Sequence, residues 1–204
     1  MWRVAVVDIA ALTIYIIITD RKERITMATA KCIVLIGPPC SGKSTVGRFL
    51  ADKLGYRYVS SGDIARNMGK VVSAMLRAGR MAPEDEMREE IKKILDAHDD
   101  IILDGFPRFE DQYNWMTGKF MHRSFSFVLI DAPVSIIFDR VSKRGREDDA
   151  SMANRFEYYR NHTTPMIIRI IRDDPHQIMH TMNINSITMP VMEIERWLHD
   201  CRRI

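Results

Sequence analysis

The 204-residue sequence lacks any hydrophobic run of the roughly 18 to 20 residues that a membrane helix needs. Its longest apolar stretch, Val4 to Thr19, is 16 residues long and already carries Asp8. Arg21, Lys22, Glu23 and Arg24 follow it, with no small-residue cleavage pattern close behind. Residues 1–29 therefore read as a dispensable extension; a membrane is not expected as a partner, and only this segment leaves it open. Cysteine is scarce as well. Cys32, Cys40 and Cys201 form no metal-ligand spacing and leave an odd count for disulfides, which fits a reducing, cytoplasmic setting. An excess of one charge is also missing: 30 Lys and Arg against 27 Asp and Glu leave +3, too little for a uniform cationic face, so nucleic acid is excluded as the expected partner. No repeat, low-complexity segment or linker interrupts the chain. Its length suits one domain with insertions, residues 30–204.

From Lys31 onward, short apolar runs alternate with longer stretches of helical period. This is the pattern of an α/β fold, a five-stranded parallel sheet flanked by helices. The expected strands are Lys31 to Ile36, Tyr56 to Ser60, Asp100 to Asp104, Phe125 to Asp131 and Ile178 to Ile184. Helices are expected at Lys43 to Leu54, Asp63 to Arg77, Pro83 to Ala97, Val134 to Lys143, Asp149 to Arg172 and Pro190 to Cys201. Pro83 and Pro190 fit first-turn positions, and Pro165 should kink or split its helix at about Thr164.

Between the first strand and the first helix runs Gly37-Pro38-Pro39-Cys40-Ser41-Gly42-Lys43-Ser44-Thr45. It satisfies G-x-x-x-x-G-K-[ST] in the strand-to-helix context that gives the motif its meaning. Glycines let successive backbone N–H groups turn inward, and the helix N-terminus adds its positive end, so the loop forms an anion nest. Lys43 would reach the β and γ phosphates of a nucleoside triphosphate, and Ser44 would bind Mg2+. Such a loop is shared by many enzymes and leaves the reaction open.

The acceptor is suggested by "LDGFPR", Leu103 to Arg108. Asp104 ends a strand beside the loop, where a carboxylate can hold Mg2+ or its waters. Gly105 and Pro107 turn the chain and aim Arg108 over the carboxyl edge of the sheet. At another strand-to-helix junction, "SSGDIAR" supplies Ser61, Gly62 and Arg66. Two arginines from two strand ends suit a second phosphate, because guanidinium forks bind phosphate oxygens bidentately.

In order and approximate spacing, GPPCSGKST, SSGDIAR, LDGFPR and RGREDD resemble adenylate kinase and its nucleoside monophosphate kinase relatives, over essentially all of the chain from Lys31. The resemblance implies an ATP-binding core, an acceptor-binding segment at about 62–84 and a short lid at about 140–155. It implies that Arg66 and Arg108 hold the acceptor phosphate. By the same likeness Gln112 reads the adenine of AMP, Arg140 packs on the ATP base, and Arg144, Arg146 and Arg155 neutralise the transferring group. Asp148 and Asp149 match paired aspartates that position arginines. A phosphate acceptor is already anionic at neutral pH, so no general base is required and the six histidines need no catalytic role. The implied activity is ATP-dependent phosphorylation of AMP to ADP by a monomer. A UMP/CMP or broad (deoxy)NMP kinase and a catalytically weak nucleotide-binding protein stay open.

Three features depart from the family. A single residue, Gly145, separates Arg144 from Arg146, the Arg66 to Gly79 segment is short, and Cys40 and Ser44 stand where adenylate kinases commonly have glycine. A reduced acceptor pocket could loosen base choice, and Cys40 reads as a tolerated small residue.

Overall fold

The computed structural model describes residues 32–78, 80–144, 152–184 and 186–202. The extension at 1–29, Arg146, Asp148 and Asp149 lie outside the described residues, as does the side chain of Arg144.

Five strands form one parallel sheet in the order β2-β3-β1-β4-β5. They are β1 (Cys32–Ile36), β2 (Arg57–Ser60), β3 (Ile101–Asp104), β4 (Phe125–Asp131) and β5 (Ile178–Met182). The helices are α1 (Lys43–Leu54), α2 (Ser61–Asn67), α3 (Lys70–Arg77), α4 (Glu84–Ala97), α5 (Glu110–Lys119), α6 (Val134–Arg144), α7 (Met152–Tyr158), α8 (Thr164–Asp173) and α9 (Thr188–Arg202).

The two-residue period of a strand decides which helix each side chain meets. Along β1, Cys32, Val34 and Ile36 join a core with Ile91 and Leu95 of α4, Met116 of α5 and Met166 and Ile170 of α8. Ile33 and Leu35 turn the other way, onto Val46 and Leu50 of α1 and Ile194 and Leu198 of α9. Both faces of the central strands are buried, so these strands read as continuous apolar runs.

Several boundaries differ from the sequence expectation. Asp63 to Arg77 is two helices, because Gly69 at φ 106° interrupts the period, and the first begins earlier, where the Ser60 hydroxyl accepts the Asp63 N–H. Pro83 caps α4 from outside its first turn. The Asp149 to Arg172 helix is divided before Pro165: a π-turn at Tyr159–Thr163 separates α7 from α8, and the Thr164 N–H bonds to Tyr159 O. Helix α5 was not expected at all. Its buried residues, Gln112 and Met116, include a polar one, and Thr117 and Gly118 near its end read as loop. β5 stops at Met182, two residues before the expected end, and releases Asn183 toward the loop after β1.

Leu50 is fully buried between α1 and the sheet. Leu50→Ala should therefore cost about 2–5 kcal/mol of unfolding free energy, read as a lower urea midpoint.

Candidate active site

The carboxyl ends of β1, β2 and β3 open into one cavity of about 400 Å³. Parallel register sets its floor: Asp104 at the end of β3 lies level with Ser60 of β2 and Leu35 of β1. Chain reversals immediately after these residues bring the motifs together.

The loop after β1 is held from inside and from behind. Lys43 Nζ donates to Gly37 O at 2.9 Å and Pro38 O at 2.7 Å, which curls the loop around the ammonium. Arg140 donates to Ser41 O at 2.8 Å and Cys40 O at 3.3 Å, and also to Asn183 O at 3.1 Å. Asn183 Nδ2 donates to Ser41 O at 2.9 Å. Gly42 sits at φ 94°, and a Cβ there would stand 2.1 Å from Asn183 Nδ2, so both backbone and space demand glycine. Cys40 adopts φ 61°, a left-handed conformation that costs a non-glycine residue about 1 kcal/mol. The departure from glycine noted in the sequence thus falls on a position that glycine would relax.

At the end of β3, Ser44 Oγ and Tyr58 Oη both donate to Asp104 Oδ2 at 2.6 Å. Burial and the neighbouring carboxylate push the Tyr58 phenol up, so it stays a donor. Arg48 lies over the Tyr58 ring at 4.7 Å and pairs with Asp63 at 3.1 Å. Asp63 also pairs with Arg66. A chain of side chains therefore runs from Asp104 through Tyr58, Arg48 and Asp63 to Arg66.

Arg108 is held on several sides. Its Nε donates to Gly105 O at 2.6 Å and its guanidinium approaches Ser61 Oγ at 3.4 Å, while Ser61 donates to Gly105 O at 2.7 Å. Gly105 has φ 79°, and an added Cβ would fall 2.8 Å from Ser61 Oγ. The π-turn supplies Thr163, whose hydroxyl donates to Arg108 O at 2.7 Å. Gln112 is only 2% exposed. Its carbonyl accepts the Arg108 N–H at 2.8 Å and its amide donates to Glu84 at 2.7 Å.

Leaving aside Arg144, whose side chain lies outside the described residues, every expected site residue among the described ones lines this cavity except Pro38 and Ser41 of the loop. The basic groups destabilise one another there. Burial first, then Arg108 and Arg155, push Lys43 down to about 8, partly offset by Asp104. Burial and then Arg155 likewise lower Arg108. Like charges held together in this way favour a multiply charged anion between them. Tyr58, Asn183, Glu84 and Thr163 escaped the sequence reading, since none lies in a recognisable motif.

A family model described as adenylate kinase matches residues 35–174. The chain is similar to an adenylate kinase of Mycobacteroides abscessus, 33% identical over 153 residues, or 66% of this chain and 83% of that protein. It is also similar to one of Stenotrophomonas maltophilia, 32% identical over 154 residues, 66% and 82% of the two chains. A third, of Thermus thermophilus, is 30% identical over 157 residues, 69% and 83% of the two chains.

A lowered Lys43 is charged below pH 8 and neutral above it. kcat/KM for the triphosphate, which reports the free enzyme, should fall above about pH 8, approaching about tenfold per pH unit. A profile flat to about pH 9.5 would show that Lys43 is not lowered in the free enzyme.

Proposed function

The chain belongs to the adenylate kinase family and is a phosphotransferase with nucleoside monophosphate kinase activity; from that premise we propose that it moves the γ-phosphoryl group of ATP to AMP, giving two ADP. The observation that carries this reading is the convergence of Lys43, Arg108 and Arg155 on one cavity with Gln112 beside Arg108.

Each residue then has a role that follows from its position. The nest of N–H groups from Gly37 to Thr45 and the ammonium of Lys43 receive the donor's β and γ phosphates. Arg66 and Arg108 hold the acceptor phosphate in line with it. Arg155 lies within electrostatic reach of both Lys43 and Arg108, the position from which a guanidinium neutralises a group passing between them. Arg144 and Arg146 are proposed for the same task from the lid. Arg140, besides bracing the loop, borders the donor end and is proposed to meet the ATP base.

Ser44 and Asp104 present hard oxygen donors in mutual contact, a set that suits Mg2+. These two residues would hold the ion, which when bound supplies charge neutralisation to the phosphates. Tyr58 fixes the carboxylate they share. No residue needs to remove a proton, because the acceptor oxygen is already anionic.

Residues 30–204 are proposed to act as one kinase domain, as a monomer in the cytoplasm, with residues 1–29 as an extension. No helix among the described residues is long and apolar enough to cross a membrane, and Cys32 and Cys40 are thiols.

Rates of ADP formation from ATP with AMP, CMP, UMP, GMP and dAMP as acceptors test the proposal. The expected outcome is the highest kcat/KM with AMP. A pyrimidine preference would assign the enzyme to the UMP/CMP class, and nucleotide binding without transfer to any acceptor would make it a binding protein.

A further inference from the structure

An amide side chain can present its oxygen and nitrogen in either order, and turning it end for end reverses what it recognises. Gln112 has no such freedom here. Its oxygen faces the Arg108 N–H at 2.8 Å and its nitrogen faces one carboxylate oxygen of Glu84 at 2.7 Å. A turned amide would set two donors against each other at Arg108 and two acceptors against each other at Glu84, both at a residue 2% exposed. The Arg108 side of this clamp is backbone. The other side depends on one residue, Glu84.

Glu84 is itself held from outside the cavity. Its second oxygen accepts Arg88 Nε at 2.6 Å, and the Arg88 guanidinium lies 5.7 Å from the centre of the Trp115 ring. As the first residue of α4, Glu84 also sits where the helix N-terminus favours a carboxylate. An ionised carboxylate only accepts, so it dictates that Gln112 nitrogen, not oxygen, points toward it.

We propose that Glu84 sets base selectivity as a positioning residue: by fixing the Gln112 amide it makes the acceptor end favour bases whose amino group adjoins an unprotonated ring nitrogen over their oxo counterparts. With one bond made at each end, the amide keeps a spare lone pair on oxygen and a spare hydrogen on nitrogen. That face complements the amino group and ring nitrogen of adenine, and equally those of cytosine. Hypoxanthine, guanine and uracil show the reverse order, a carbonyl beside a ring N–H, and are read only by a turned amide. Carbon and nitrogen positions of the two purine classes otherwise superimpose, so the lock acts on hydrogen-bond order and not on shape. The inference rests on the assignment of Gln112 as the residue that reads the base.

AMP and IMP differ in this edge alone, so the ratio of their kcat/KM values tests the lock. Wild type should prefer AMP. Glu84→Gln replaces a pure acceptor by a group that accepts or donates, at a side chain about one-third exposed. The AMP:IMP ratio should fall about tenfold or more, with KM for ATP and Tm little changed. Glu84→Asp, which keeps the carboxylate, should retain more of the preference. A wild type that prefers AMP and a Glu84→Gln ratio within about twofold of it would overturn the lock while leaving Gln112 as the reader. A wild type that uses IMP as well as AMP would overturn both. Should Glu84→Gln fail to fold, Glu84→Ala, which leaves the Gln112 nitrogen without its carboxylate partner, decides by the same ratio: a fall supports the lock and an unchanged ratio overturns it.

Discussion

Lys43, Arg108 and Arg155 are brought into one cavity, where burial strips water from Lys43 and Arg108 and all three repel one another. Much else in the site answers to that constraint. Lys43 is tolerated because Gly37 O and Pro38 O take its hydrogens and Asp104 lies near. Arg108 is tolerated because Gly105 O and Ser61 serve its guanidinium. The basic groups still repel one another across the cavity, and an anion placed between them relieves that repulsion. Phosphoryl transfer between two anions needs such a field more than it needs an acid or a base.

The sheet makes the arrangement rigid. Alternating residues of β1 bind helices on opposite faces, so the loop after Ile36 leaves a strand that is fixed from both sides. Register places Asp104 within reach of Ser44 and Tyr58, and the end of β5 brings Asn183 beneath the loop. The end of β3 and helix α2 are joined through side chains, from Asp104 through Tyr58, Arg48 and Asp63 to Arg66.

The strands, α1 and the central site residues were legible in the sequence because their signals are local. A glycine-rich turn, a strand end and a short arginine motif each declare themselves within a few residues. What was not legible acts across the chain. Tyr58 meets Asp104 from 46 positions away, Glu84 meets Gln112 from 28, and Asn183 meets Ser41 from 142. No periodicity records such pairings. Helix α5 was missed for a related reason: it buries Gln112, whose partners lie in the Arg108 backbone and α4, so its polar residue masks the period. The division before Pro165 was foreseen, but not that the π-turn would deliver Thr163 to Arg108.

The most direct test of a cavity organised around mutually repelling basic groups uses phosphate without a nucleoside. Inorganic tripolyphosphate, titrated into the protein with thermal unfolding as the readout, should raise Tm by about 5 °C or more at roughly 100 times its Kd, and Lys43→Met should abolish most of the rise. A Tm unmoved by millimolar tripolyphosphate would contradict it.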